Sequence, residues 1–368
     1  MPGLRAPLPH PDEEPRPSTD TTHTAKAVPM KIRPKVTARA LAVLGLGALV
    51  LSQAACASPT EPGAATTASA EGGFDYTDAR GDTVTLDTVP HNIVMSEQAA
   101  AALIPYGIRP VGIWGSSTPD TSGVLAGLDV SGIESLGVSY GDVDVDKLAS
   151  LEPDLVITGW YAGGYLGGLG AEDAEVSKQI EQVAPLITVS AQKSASASLD
   201  DWRGLAQTLG ADVDSGTIAE EKSTYDDAVS QLKSALAARP GTTAYAVAPS
   251  TQFYVAIPGE FAELIDYAEW GLDVRESPVA RDSTSGSFSP VSWENAGDYT
   301  SDLLLYDTRA WTTPLAQVER DHPTVATLNA VARGHVVDWT TDATFNYASY
   351  TKQIALLTDA VKALPASK

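Results

Sequence analysis

The chain has 368 residues, enough for about two domains, and with 43% hydrophobic and 19% charged residues it is built to pack a core rather than to stay disordered throughout. A formal net charge of −23 excludes a nucleic-acid-binding surface, which needs lysine and arginine to meet phosphates. The single cysteine, Cys56, excludes a disulfide framework, a CxxC redox pair and a cysteine-rich zinc site, and the five histidines are too scattered for a local HxxxH motif.

Residues 1–29, rich in Pro, Thr and His without apolar periodicity, read as a disordered extension or as sequence upstream of a true start at Met30. A basic stretch from Met30 to Arg39 then precedes twelve uncharged, mostly apolar residues, Ala40 to Leu51. Twelve residues are too few to cross ~30 Å of hydrocarbon as a helix, but they suit the apolar region of a secretory signal. The run ends in Ser52-Gln53-Ala54-Ala55-Cys56, which resembles the lipobox of bacterial lipoproteins with Gln53 where leucine is usual. Residues 30–55 are therefore expected to be a lipoprotein signal peptide, Cys56 the lipidated first residue of the mature chain, and 56–73 a Pro- and Thr-rich tether. A free cysteine closing an anchor helix is the alternative.

From residue 74 short apolar runs alternate with helical patterns. Thr83–Leu86 reads as a hairpin strand after the Arg80-Gly81-Asp82 turn, and Asn92–Met95 as a buried strand. A helix from Glu97 to Tyr106 follows, closed by Gly107, and then a strand at Val111–Trp114. A short helix at Asp144–Leu151 stops at Pro153, Leu155–Thr158 is a strand, Val176–Val183 a helix and Leu186–Val189 a strand. Between 199 and 238 the pattern is helical, with Ile218, Tyr225, Val229, Leu232 and Leu236 on one face until Arg239-Pro240-Gly241 ends it. Alternation resumes with Ala244–Ala248, Phe261–Trp270, Asp302–Tyr306, Val336–Trp339 and a closing helix from Tyr347 to Leu364. The β-α-β rhythm predicts an α/β fold: two α/β lobes with mainly parallel sheets, 74–198 and 241–368, joined by one long bridging helix within 199–240.

Four segments in order, "PYGIRPVGIWG", "DVDVDKLASLEPDLVI", "VSWENAGDYTSDLLLY" and "LNAVARGHVVDW", resemble those of ABC-transporter substrate-binding proteins of the iron-siderophore, haem and cobalamin class. The Leu151-Glu152-Pro153-Asp154-Leu155-Val156-Ile157 element is the most specific of them, and the likeness covers roughly 74–366. The resemblance implies a monomeric receptor, not an enzyme, anchored outside the cytoplasmic membrane by its lipid alone. Such a receptor holds a ferric siderophore in an interlobe cleft and passes it to an ABC permease and ATPase complex. No cofactor or metal ligand is expected, because the iron arrives already chelated. The same resemblance implies that Asp146 and Glu294, in matching contexts of the two lobes, meet arginines of the permease; acids in a helix's first turn are also favoured by the macrodipole alone.

A ferric siderophore needs flat aromatic surface and a few Arg or Tyr donors, and strand C-termini are where open parallel sheets place them. In the first lobe these are Glu97, Gln98, Trp114, Trp160 and Tyr161; in the second, Phe253, Tyr254, Arg309, Trp311, Trp339 and Tyr347, with Arg281 on a polar loop. The Gly163–Gly168 run lacks the GK[ST] ending of a phosphate loop and reads as a cleft-rim loop. Ser190-Ala191-Gln192-Lys193 matches the S-x-x-K of β-lactamases, but neither S-D-N nor K-T-G occurs in the chain. A bare-metal receptor would draw on His91, His322 and His335, none of them in a His-rich loop. Haem or cobalamin in place of the siderophore stays open, since Tyr161, Tyr254 and Tyr347 are candidate axial ligands.

Overall fold

The computed structural model describes residues 72–365 except 162, 173 and 282–285; the signal segment, Cys56 and nearly all of the tether lie outside the described residues. The two-lobed α/β architecture is present. An antiparallel hairpin, β1 (Phe74–Thr77) with β2 (Thr83–Leu86), opens the chain. Its turn residue Asp78 accepts from the Arg80 Nε at 2.8 Å and from the Thr188 hydroxyl at 2.9 Å, which ties the hairpin to the first sheet.

That sheet comprises β3 (Ile93–Ser96), β4 (Gly112–Trp114), β5 (Glu134–Gly137), β6 (Leu155–Tyr161), β7 (Tyr165–Leu166), β8 (Gly170–Ala171) and β9 (Leu186–Ser190). The order is β5-β4-β3-β6-β7-β8, with β9 beside β6, and only the β7 and β8 pairings are antiparallel. The glycine run Gly163–Gly168, foreseen as a rim loop, holds the turn into β7, β7 itself and the start of the turn towards β8. Its neighbours explain the apolar text: strands covered on both faces carry uninterrupted hydrophobic runs such as Ile93-Val94-Met95, all buried. Helices α1 (Glu97–Leu103), α2 (Val145–Ser150) and α3 (Glu175–Val183) cover it. Ala99 to Ala102 are all fully buried, and their small side chains let α1 lie close against β3 and β6. The predicted helix to Tyr106 ends earlier as α1 and continues as a single 3-10 turn, because Pro105 cannot donate to the α ladder.

The helical stretch between the sheets is two helices, α4 (Ala195–Thr208) and α5 (Gly216–Ala237). Gly210, at φ +88°, ends α4 in the left-handed region that glycine occupies without strain. Ala195 and Leu199 of α4 belong to the second lobe's core, whereas its Trp202, Leu205 and Ala206 belong to the first, so this helix is shared by both. The 22-residue α5 buries Ile218, Tyr225, Leu232 and Leu236, the foreseen face, against the closing helix.

The second sheet holds β10 (Thr243–Val247), β11 (Phe253–Ala256), β12 (Asp273–Val274), β13 (Phe288–Val291), β14 (Leu303–Asp307) and β15 (Val336–Trp339). Its order is β13-β11-β10-β14-β15, with β12 parallel to β10; β10, β14 and β15 are parallel and β11 and β13 are antiparallel. Helices α6 (Ala262–Glu269), α7 (Leu315–Asp321), α8 (Pro323–Ala326), α9 (Asn329–Ala332) and α10 (Tyr347–Ala363) complete the lobe.

One device recurs at the N-terminal end of each sheet. Asp154, just before β6, accepts from the backbone N–H groups of His91 and Asn92 at 3.0 and 2.9 Å, and these bonds hold its carboxyl below the usual range. Asp302, just before β14, accepts from the Thr243 N–H at 2.9 Å and its hydroxyl at 2.8 Å. Each carboxylate fastens a strand to the start of its neighbour, satisfying donors that the parallel ladder leaves open.

Candidate functional site

The C-terminal strand ends of the two sheets face one another. Asn346, capping α10, donates from Nδ2 to the Ala101 carbonyl of α1 at 3.2 Å, and Phe345 packs on the first lobe's core. A Cβ added to Gly123 of the first lobe would sit 3.5 Å from Oδ2 of Asp342 in the second. The side chains around this junction form the candidate site.

On the first lobe, Ser96 caps α1 by accepting from the Ala99 N–H at 3.2 Å, which makes Glu97 the first helical residue and aims it at the loop after β4. The Glu97 carboxylate is buried. It accepts from the Ser116 N–H at 3.0 Å, the Ser116 hydroxyl at 2.9 Å and the Ser122 hydroxyl at 2.7 Å. Gly115 is required there, since a Cβ would lie 2.5 Å from the Glu97 carboxyl carbon. Gln98 and Trp160 are partly buried, and among the described residues Gln98 Oε1 and Trp160 Nε1 have no hydrogen-bond partner. Tyr161 is partly buried beside them; burial first, then the charges of Glu97 and Asp342, raise its phenol above the ordinary tyrosine range. Tyr140 and Tyr165 extend this wall outward, 64% and 49% exposed.

On the second lobe, Asp307 ends β14 fully buried, and Arg309 folds back onto it with Nε and Nη2 within 2.7–3.0 Å of its oxygens. Nη1 of Arg309 reaches the Thr341 hydroxyl at 3.0 Å. The guanidinium stands 5.3 Å from the Trp311 ring centre and 5.9 Å from that of Trp339. Trp311, 45% exposed, is the largest apolar surface on this side and sets its edge against Phe288. Tyr254 is partly buried next to Phe288.

Four expected ligand contacts are corrected by burial. Trp114 is 1% exposed and donates its N–H to the Gly167 carbonyl at 3.0 Å, pinning the β7–β8 hairpin rather than facing the junction. Phe253 points to the opposite face of β11 from Tyr254, into a core with Trp293 and Tyr299. Trp339 is a core indole donating to Glu263 Oε1 at 2.7 Å, and Tyr347 packs 5.3 Å from the Tyr225 ring. A strand's last residues alternate faces, so a strand-end aromatic is as often core as rim. Arg281 is exposed and paired with Glu260. Sequence reasoning missed Asp307, Ser116, Ser122, Asp342, Tyr140 and Tyr165. Only Asp307 had a usable signal, an acid closing an apolar strand two residues before Arg309.

The permease-facing candidates lie away from the junction. Asp146 is exposed as the second residue of α2, and Glu294 is exposed as the second residue of a 3-10 helix, Trp293–Asp298. The Glu294 carboxyl is held below its usual range by its own N–H and the Ser292 hydroxyl. A hollow of 240 Å³ near Thr242, Asp302 and His335 lies at the N-terminal end of the second sheet, remote from the junction. Among the described residues no three His, Cys, Asp or Glu side chains gather to hold a metal ion, and no helix is long and apolar enough to cross a membrane.

The periplasmic binding protein family matches residues 111–343. A probable siderophore-binding lipoprotein of Bacillus subtilis, YfiY, is 26% identical over 234 residues, 61% of this chain and 66% of that protein, so the chain spans just under two thirds of this relative's length. Among solved structures, the ferric-siderophore receptor DesE of Streptomyces coelicolor is 29% identical, with a TM-score of 0.72 over 80% of this chain and 100% of that one. The petrobactin-binding protein YclQ of Bacillus subtilis shares the fold at 20% identity, with a TM-score of 0.59 over 79% of this chain and 99% of that one. With the family matched across most of the described residues and its two-lobed fold in place, the chain belongs to the periplasmic binding protein family.

Proposed function

We propose that this chain is an extracytoplasmic lipoprotein receptor that captures a ferric siderophore between the strand ends of its two lobes and delivers it to an ABC importer. The observation that carries the reading is the likeness to the Streptomyces coelicolor ferric-siderophore receptor over the whole of that chain. The junction's chemistry agrees: Tyr140, Tyr161 and Tyr165 on one lobe and Trp311 on the other offer flat apolar faces to a bulky chelate, with no protein ligand needed for the iron. Haem is the second reading, motivated by Tyr161.

Cys56 is the proposed lipid anchor. Two or three acyl chains at ~0.8 kcal/mol per buried CH₂ hold a protein on a membrane where one chain does not. Asp146 and Glu294 are the proposed contacts to the permease. Asp146→Ala with Glu294→Ala is expected to abolish uptake in cells at unchanged ligand affinity, and normal uptake would remove them from that role. Native mass spectrometry against a panel of ferric siderophores, haem and cobalamin tests the main reading. One ferric siderophore per chain is the expected result; haem or cobalamin retained in its place contradicts it.

A further inference from the structure

The last turn of α1 leaves an acceptor open, and the other lobe answers it. In an α-helix the carbonyl of residue 101 accepts from the N–H of residue 105, but residue 105 is Pro, which has none to give. Ala101 is fully buried, where an unanswered carbonyl is costly. Asn346 of the second lobe, 8% exposed and 245 positions further along the chain, supplies the donor from Nδ2 at 3.2 Å. The same side chain is committed at its other end. Asn346 Oδ1 accepts from the Ser349 N–H at 2.9 Å and the Ser349 hydroxyl at 2.8 Å, which caps α10. A backbone N–H can only donate, so Ser349 fixes the amide oxygen on its side and leaves the amide nitrogen facing Ala101. One buried amide therefore joins the start of α10 to the end of α1.

Apolar contacts flank this bond. Phe345 packs on the first lobe's core, and Tyr106, next to Pro105, packs on the cores of both lobes. Earlier in the same segment, the Thr341 hydroxyl accepts from Arg309 Nη1 at 3.0 Å, and the Arg309 guanidinium stands 5.3 Å from the Trp311 ring centre. The segment 341–346 thus runs from the second lobe's aromatic wall to a buried bond on the first lobe.

We propose that Asn346 is a positioning residue: its bond to the carbonyl that Pro105 leaves open fixes the span between the two walls of the junction, and so holds both walls ready for a ligand. This rests on the capture reading above and adds the device that sets the geometry of that site. Separating the lobes here strands a buried carbonyl and a buried amide together, which favours one span over a range of them. A site held at one span loses less freedom when a ligand arrives.

The test reads the span first, without ligand. Spin labels at Gln179→Cys on α3 and Gln317→Cys on α7, both exposed and on opposite lobes, report it in the full chain carrying Cys56→Ser. With Asn346 in place, one narrow distance distribution is expected. Asn346→Ser keeps a hydroxyl to cap α10 but is too short to reach Ala101, and it should broaden or lengthen that distribution. An unchanged distribution overturns the proposal. Adding Pro105→Ala separates positioning from local repair, because it gives Ala101 an N–H of its own helix. The double variant should regain resistance to denaturant and keep the altered span; a span restored together with stability overturns the proposal. Fluorescence titrations then use ferrioxamine B and each other ferric complex that the panel above retains. Asn346→Ser should bind about tenfold more weakly, the loss expected when the competent fraction falls to about a tenth. Equal affinity overturns the link between Asn346 and the ligand. Failure of the unsubstituted chain to bind any ferric complex overturns the capture reading instead, and the spin-label distances still decide the role of Asn346.

Discussion

The two lobes agree at one end and differ at the other. At the N-terminal ends of the strands the plan repeats: an exposed acid opens a short helix, and a carboxylate fastens the next parallel strand to its neighbour. Asp146 and Asp154 play these parts in the first lobe, Glu294 and Asp302 in the second. At the C-terminal ends the lobes part. The first brings a serine-held Glu97 and a tyrosine wall; the second brings the Arg309–Asp307 pair, Trp311 and Asp342. The end that holds the fold together is duplicated, whereas the end proposed to meet a ligand is not. A bulky, asymmetric ligand needs two different walls, and hydrogen-bonded strand starts do not.

The buried tryptophans of the two lobes sharpen this contrast. Trp114 donates to a backbone carbonyl, Trp339 to the buried carboxylate of Glu263. Trp114→Ala and Trp339→Ala should each destabilise by about 3–5 kcal/mol in chemical denaturation. Trp339→Ala should be the worse of the two, because it strands a buried acid. Equal losses would show that the acid adds nothing.

The same difference gives the lobes different pH responses. Burial pushes the Glu263 carboxyl up to about 7 from its ordinary 4.5, with the Trp339 N–H opposing the rise. Between those values the folded chain holds a proton that the unfolded chain has lost, so stability falls as pH rises through that window. Glu263→Gln, which keeps an acceptor for Trp339, should flatten the decline by roughly 3 kcal/mol at most, read as thermal stability at pH 5 and 8. An unchanged slope would place the pH sensitivity elsewhere.

Asp154→Ala and Asp302→Ala test the shared end, and each should cost about 1–2 kcal/mol through its two lost bonds. The Asp154 pKa is lowered in the folded chain, so its contribution is complete above the ordinary aspartate range and fades as pH drops. Clearly unequal losses at neutral pH would break the claim that the two ends are duplicates. Trp311→Ala should change stability by less than about 0.5 kcal/mol, since the ring is 45% exposed, yet weaken ligand binding by about 1–3 kcal/mol. A stability loss as large as that of Trp114→Ala would make Trp311 a core residue.

The sheets were legible because buried parallel strands write continuous apolar runs, as at Ile93–Met95 and Leu303–Leu305, and because Pro153 and Gly107 punctuate the helices. The break between α4 and α5 was harder to see, since the polar turn at Asp212–Ser215 interrupts no long apolar pattern. The antiparallel β11 and β13 were missed: Pro290 inside β13 argues against a strand, and only its edge position tolerates it. At the site, residue type pointed to aromatics and Arg309, and the structure places Tyr161, Trp311 and Arg309 near the junction, but the facing of each ring depends on strand registers that a single sequence does not display. Trp114 and Trp311 look alike in the text and differ completely in exposure. The place of Asp342 at the junction left no local mark at all, because its neighbours Gly123 and Glu97 come from the other lobe.

The central claim is that both lobes grip one ligand at their C-terminal strand ends. Hydrogen–deuterium exchange with and without a ferric trihydroxamate measures it directly. The account predicts simultaneous protection around residues 97–98, 115–122 and 160–166 of the first lobe and 307–311 and 340–346 of the second. Protection confined to one lobe, or centred on the hollow near His335, would contradict it.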